Sequence, residues 1–468
     1  MDDFLREIQT SVFREWINNQ KRDYYHLHQS ETDPDAIIIE NEYCYSYVTF
    51  NPQCIIELCV MNKRTDEMAF YLHFQFKTLK HAISLFEEMD QCIKKMVDQP
   101  MCRLLLCCSG GMTTAFFADK IKNGIKVLNL NMEVAATSYQ KIYNVAQNYD
   151  VILLAPQVSY VKLQVEKVFK NKLVLKIPTQ IFASYNVGAL ITFVEESLKH
   201  KENKYNGYVE PLASMMEIKT NKHVLAVSIN ANGENSHISY RLYNSHQDIV
   251  LDSNIIKSNI KLQDVLDALD TVVLQNEMID VISIALPGIM VEGNVYSGII
   301  EGGNHQLKER LEKRYEKEIY LINDVNAAVV GYYASQNEYK SLAFLFQPIG
   351  RMAGSGIIVS GQLIRGMDHL AGEVALLPLN LSDAYLTLAN TPEGTLELVT
   401  KNIMSIIAIV APEAIVVYSD LILDSQDVSE EIKKSLSQYS LKVYPKIIKV
   451  ENILEYILLG AMILSAKE

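Results

Sequence analysis

No cysteine follows Cys108 in a chain of 468 residues; the seven present are Cys44, Cys54, Cys59, Cys92, Cys102, Cys107 and Cys108. No two stand in a Cys-x-x-Cys pair, which excludes a zinc site built on that spacing. Their number is odd and the start, Met1-Asp2-Asp3-Phe4, is no signal peptide, so reduced thiols and a cytoplasmic setting are expected. No apolar run reaches about 18 residues, so no membrane-spanning helix is expected. Basic charge is short: 43 Lys and Arg face 56 Asp and Glu, for a net charge of −13. That balance disfavours nonspecific binding to nucleic acid or anionic membrane, and no direct nucleic-acid partner is expected. His237, His305 and His369 are scattered without metal spacing, and neither a metal nor a cofactor is expected. Hydrophobic residues at 49% and charged ones at 21% are ordinary for a globular chain of this length, which should hold two to four domains.

The first 100 residues read as a small α+β domain. Phe4, Ile8, Val12, Trp16 and Ile17 recur near helical spacing and suggest a helix over 1–28. Three strand-like runs follow, Glu42–Phe50, Cys54–Met61 and Met68–Phe76, and a helix from Leu79 to about Val97 closes the unit. Tyr43, Tyr45 and Tyr47 alternate as in a half-buried antiparallel sheet, with pairing to a partner as the other reading.

Residues 101–200 alternate strand and helix: strands at Arg103–Cys107, Val134–Thr137, Val151–Leu154 and Leu173–Ile177, and a last helix at Val187–His200. This pattern predicts a four-stranded parallel sheet flanked by helices, with the working loops at the strand C-termini. The first strand runs into Cys108-Ser109-Gly110-Gly111-Met112-Thr113-Thr114, followed by a helical stretch. A thiol at a strand end, small residues, then a helix N-terminus is a geometry for holding phosphate on sulfur. Backbone N–H groups of the turn and first helical turn converge there, lower a thiol pKa and stabilise an anion. Gly110 and Gly111 let the backbone curl, and Thr113 and Thr114 can cap the helix or donate hydroxyls. Strand alternation sends Cys107 to the opposite face, as a core residue.

This run resembles the phosphocysteine loop of the lactose/cellobiose type of phosphotransferase-system enzyme IIB, and Asp150–Val158 with Tyr160 resembles that family's second well-marked strand and turn. The resemblance implies that Cys108 is the phosphoryl acceptor and that Ser109, Gly110, Gly111, Met112, Thr113 and Thr114 form the phosphate-binding loop. It also implies an enzyme IIA as donor and a membrane enzyme IIC as the route onward to a sugar.

Residues 201–220 are polar and charged at their start and are read as a linker; residues 221–468 form a larger unit. Strand-like runs at Val224–Ile229, Val281–Ala285, Ile319–Ile322, Leu342–Phe346 and Ile357–Val359 alternate with helical ones; Gly331-Tyr332-Tyr333 reads as a helix end, Thr391–Gly394 as a turn, and Leu454–Lys467 as a final apolar helix. Leu286–Met290, Asn323–Ala328 and Gly356–Gly366 with Ala371-Gly372-Glu373 resemble three segments of the ROK family of sugar kinases and regulators. The resemblance implies a two-lobed actin/hexokinase-like fold, and a sugar pocket from Asn323, Asp324 and Glu373 with Asp324 as base.

Phosphoryl transfer from ATP needs cradles for the phosphates. The stretches matching the family's nucleotide loops are Ser228–Asn232, Gly350–Gly354 and Tyr418-Ser419-Asp420, which lack its glycines and hydroxyls in part or whole. The family's histidine is Leu376 here, and its zinc cysteines and pocket tryptophan are missing, Trp16 being the single tryptophan. ATP-dependent kinase activity is therefore not expected, and the shell reads either as a small-sugar site or as a scaffold. A phosphotransferase-linked protein is the leading reading, as a homo-oligomer. An active ROK-type kinase and a ROK-type regulator of carbohydrate genes stand as alternatives.

Overall fold

The computed structural model describes residues 3–63, 67–98, 102–109, 112–128, 130, 132–169, 172–199, 214, 220–232, 235–291, 294–296, 300–301, 306–367, 370–422, 424–437 and 444–467. The chain is a mixed α/β protein with three main sheets. The linker expected at 201–220 lies, apart from Ser214 and Thr220, outside the described residues, as do His305 and His369.

The first 98 residues share a sheet with the third unit. Ten strands run in the order His26–Gln29, Ala36–Glu40, Cys44–Asn51, Ile55–Asn62, Glu67–Gln75, Ile249–Lys257, Asn235–Tyr243, Val224–Asn232, Val281–Leu286 and Glu318–Asn323. The join is an antiparallel pairing at Tyr71 and Ile256. One apolar core, including Phe74, Phe86, Leu225, Ile238 and Val265, crosses that join. A buried ion group does so too: Lys257 Nζ lies 2.5 Å from Glu88 and 2.5 Å from Asp264. A buried cation survives only with such pairing.

The opening helix is Asp3–Asn18, not 1–28, because the chain then turns into the edge strand His26–Gln29. Only the end of the expected stripe meets the core. Trp16 and Ile17 do so together with Phe13, spaced i, i+3 and i+4, with Phe13 and Trp16 making ring contacts to Phe50, Phe76 and Phe86. Phe4, Ile8 and Val12 are left exposed. Two apolar stripes compete on this helix, and the aromatic one takes the core.

A five-stranded sheet forms the second lobe of the third unit, in the order Gln362–Leu363, Gly354–Val359, Leu342–Phe346, Ala414–Tyr418 and Lys446–Lys449. Between the lobes the helices Asp324–Ala334 and Leu454–Lys467 cross at backbone contact. A Cβ on Gly331 would lie 2.0 Å from the Tyr456 carbonyl oxygen, and one on Gly460 would lie 1.8 Å from that of Ala327. Gly331-Tyr332-Tyr333 forms the last turn of its helix, which ends at Ala334. The closing helix is tied to the ten-stranded sheet by a buried bidentate pair, Arg241 to Glu455 at 2.9 and 3.0 Å. Thr391–Gly394 is not an isolated turn. Thr391 accepts a hydrogen bond from Gly394 N, Pro392 takes the first helical position, and the helix Pro392–Val410 begins there.

Residues 102–199 form the third sheet: four parallel strands in the order Met132–Ser138, Cys102–Cys108, Val151–Leu154 and Leu173–Lys176. Helices Met112–Val127, Lys162–Val168, Thr179–Ser184 and Val187–Lys199 accompany it. Its core also takes in Leu421 from the second lobe, and Ile349 of that lobe packs against it.

Candidate functional site

Continuous apolar residues from Leu104 to Cys107 suit a strand buried on both faces, and the strand is flanked on both sides by parallel neighbours. Its end brings Cys108 opposite Ser138. Cys108 is 6% exposed, and its Sγ lies 3.9 Å from the Thr137 carbonyl oxygen. Ser109, next along, is exposed. The helix Met112–Val127 starts four residues after Cys108, so its unpaired amides lie close by in the chain. Gly110 and Gly111 lie outside the described residues, as do the side chains of Met112, Thr113 and Thr114.

Cys107 sits on the other side of the strand as alternation requires, fully buried, its carbonyl accepting from Ala155 N at 2.8 Å. Burial, with Cys108 adding, pushes its thiol up to about 12, so it is a thiol and not a nucleophile at neutral pH.

Sequence reasoning missed the residue after Ser138. The Tyr139 hydroxyl donates to Glu393 Oε1 at 3.1 Å, with Gln164 Oε1 at 3.4 Å. Burial, then the charge of Glu393, push this hydroxyl up to about 12. Glu393 lies in the first turn of the second-lobe helix, where the helix dipole favours a carboxylate.

A second strand-to-helix junction lies between the lobes. Asn323 ends the strand Glu318–Asn323 and caps the helix Asp324–Ala334: its Oδ1 accepts from Val325 N at 3.1 Å and Asn326 N at 3.0 Å, and its Nδ2 donates to the Gly288 carbonyl at 3.2 Å. The Pro287-Gly288 strand end thereby fixes Asn323. Asp324 is buried and accepts from Val325 N at 2.9 Å. Burial raises its carboxyl to about 6; the backbone hydrogen bonds oppose this, and the charge of Glu373 adds to it. Burial also raises the half-buried Glu373. Gly372 delivers that residue: at φ +93° its Cβ would fall 1.7 Å from the Ser355 carbonyl oxygen, and its own carbonyl accepts from Ser355 N at 2.8 Å. The charge of Glu373 is thus felt at Asp324, and Asn323 precedes Asp324 in the chain. Asn326 Oδ1 and Ser228 Oγ are buried without a hydrogen-bond partner.

The stretches likened to nucleotide loops make the following contacts within the chain. Ser228–Asn232 stays extended and pairs with the strand Asn235–Tyr243. The turn Gln347–Gly354 is pinned by Tyr385, whose hydroxyl donates to Gln347 Oε1 at 2.8 Å and accepts from Ala353 N at 3.2 Å. Arg351 and Met352 are exposed. Tyr418 stacks at a tilt on Phe346, 5.4 Å between centroids, and Ser419 is buried.

Residues 103–191 match the family model for the PTS system, Lactose/Cellobiose specific IIB subunit. Residues 235–385 match the model for the ROK family. The chain joins a IIB-like region to a ROK-like region. The oligo-beta-mannoside-specific EIIB component of the PTS system of Bacillus subtilis (strain 168) is 30% identical over 67 residues, a match spanning 14% of this chain and 65% of that relative. A ROK family protein from Streptococcus pneumoniae TIGR4, solved in complex with sucrose, is 18% identical, with 52% of this chain and 97% of that one covered, at a TM-score of 0.40. The ROK hexokinase from Thermus thermophilus gives 17%, 52% and 99%, at 0.43. The lactose-specific IIB component domain from Streptococcus pneumoniae gives 23%, 20% and 95%, at 0.19. Among the described residues no helix is long and apolar enough to cross a membrane.

Proposed function

We propose that this chain is a phosphoryl acceptor of a phosphotransferase relay, with Cys108 as the accepting group and the ROK-like region as a sugar-responsive unit without ATP-dependent turnover. The observation that carries the reading is the pair of adjacent thiols. Cys108 closes a parallel strand beside an exposed serine and a helix start, while Cys107 is sealed in the core. The step balances simply. The Cys108 thiol loses its proton to solvent, its sulfur attacks the phosphorus of a phosphohistidine on an enzyme IIA, the P–N bond breaks and an S–P bond forms. The freed imidazole takes up a proton. Amides at the helix start stabilise the phosphoryl oxygens.

In the ROK-like region, Asp324 and Glu373 supply acceptors for sugar hydroxyls, and the buried unpartnered oxygens of Asn326 and Ser228 are two further groups without an internal partner. The contacts within the chain of the stretches likened to nucleotide loops support binding without phosphorylation.

The test is intact-protein mass after incubation with phosphoenolpyruvate, enzyme I, the phosphocarrier protein and a panel of enzyme IIA proteins. A gain of one phosphoryl group in the wild type, absent in Cys108→Ser, supports the reading; no gain with any donor sinks it. Calorimetric titration with hexoses and with an oligo-β-mannoside, the ligand class named for one relative, tests the sugar unit.

A further inference from the structure

Two strands of the second lobe, Leu342–Phe346 and Ala414–Tyr418, run parallel and end side by side. In open α/β sheets, ligands bind just outside such carboxyl ends. Here that place holds protein. Leu421, three residues beyond the second strand, is 2% exposed and buried in the core of the IIB-like region. Ile349, three residues beyond the first, packs against the same core. The IIB-like region is thus seated over the ends of the second-lobe strands.

The polar contact of this seat lies next to the thiol. Ser138 pairs with Cys108 across the parallel ladder, where strands lie about 4.8 Å apart. Tyr139 follows Ser138 and donates to Glu393 on the second lobe. Residues 254 positions apart meet there.

We propose that the IIB-like region is a phosphorylation-sensitive cover on the second lobe, and that the Tyr139–Glu393 contact is its sensor; this rests on Cys108 being the phosphoryl acceptor. A phosphoryl group adds close to two negative charges. Placed at the end of the Cys108 strand, it faces the Glu393 carboxylate across Tyr139, which among the described residues joins the two regions by a side-chain hydrogen bond. Glu393 stands in the first turn of a helix capped by Thr391, where the dipole favours its negative charge. Repulsion loosens the seat, and the loops 347–354 and 418–422 lose their cover.

The experiment is hydrogen–deuterium exchange on the full chain, reading peptides over 347–354 and 418–422, with intact mass recorded on the same samples. Phosphorylation of the wild type is expected to speed exchange in both loops at least about fivefold, the lower end of ordinary coupling between sites. Glu393→Gln, which keeps the size and removes the charge, should cut that response at least in half. Cys108→Asp places a negative charge at the same point without a donor and should reproduce part of the opening, while Cys108→Ser should not. Leu421→Asp should open both loops in the absence of phosphate. A mass gain with unchanged exchange overturns the sensor, and an unchanged Leu421→Asp overturns the cover. No mass gain, with opening in Cys108→Asp, keeps the coupling and removes the acceptor reading. No mass gain and no opening in Cys108→Asp overturns both.

Discussion

Two strand-to-helix junctions are built in opposite ways. At Cys108 the strand ends in a thiol that is 6% exposed, followed by exposed Ser109 and a helix start. At Asn323 the strand ends in a side chain tied three ways, to Val325 N, Asn326 N and the Gly288 carbonyl, and the carboxyl after it is buried. The first junction is the one proposed to receive an anion at helix-start amides. The second has already used its donors on itself and holds a carboxyl whose ionisation burial opposes. The two proposed roles, phosphoryl acceptor and holder of a neutral ligand, call for these different economies of hydrogen bonds.

The sharpest test of the comparison is loss of the thiol. Cys108→Ser is expected to abolish phosphoryl gain by mass, whereas Cys107→Ser retains it, because burial holds the Cys107 thiol near 12. Phosphoryl gain in Cys108→Ser would break the assignment. Next in size is Gly460→Val. Its side chain would collide with the Ala327 carbonyl, 1.8 Å from even a bare Cβ, and should cost at least about 3 kcal/mol by denaturant unfolding. The IIB-like core does not include that contact, so Cys108 should still take up phosphate in that variant.

Much of the first junction was legible in the sequence. Val151–Leu154 was read with the bounds it has, and the other three parallel strands within a residue or two; Cys102–Cys108 and Val151–Leu154 are buried strands and so read as short unbroken apolar runs. The strands His26–Gln29, Asn235–Tyr243 and Ile249–Lys257 were not read. They carry His, Gln, Asn, Ser and Asp, which break up any apolar run, and pairing with neighbouring strands holds them, with Ser236, Ser239 and Arg241 buried in the process. Likewise the first 98 residues read as a separate domain, since nothing local in Tyr71 or Ile256 says that they pair. The second site was legible only through resemblance: Glu373 follows Gly372, whose φ of +93° packs it on Ser355, and no local pattern ties that turn to Asp324. Tyr139, Glu393 and Leu421 left no signal, because a contact between regions so far apart in the chain has no period and no motif.

The carboxyl at the second junction makes its own prediction. The Asp324 carboxyl titrates near 6 in the folded chain and near 3.8 when exposed. As pH falls through 6 toward 3.8, the folded protein takes up a proton that the unfolded chain does not, so this group raises stability on acidification. Above pH 6 the charged form is held at a cost of about 2–3 kcal/mol, at about 1.4 kcal/mol per pKa unit. Asp324→Asn keeps the acceptor for Val325 N and removes the charge. It is expected to be more stable than wild type at pH 7.5 and about equal to it near pH 4. Equal pH dependence in the two proteins would show that Asp324 is solvated in solution.

The smallest effect separates the two junctions most directly. Asn323→Ala removes the cap from two amides and a donor from Gly288, and should cost about 1 kcal/mol, with about 2 as the upper end for caps. Ser109→Ala removes an exposed hydroxyl and should stay within about 0.5 kcal/mol. The functional effects should run the other way. Ser109→Ala slows phosphoryl uptake at Cys108 because that hydroxyl lies beside the incoming anion, while Asn323→Ala leaves uptake unchanged and weakens sugar binding. Equal stability losses at the two positions would mean that both loops are structural caps, and the contrast between a receiving junction and a self-satisfied one would fall.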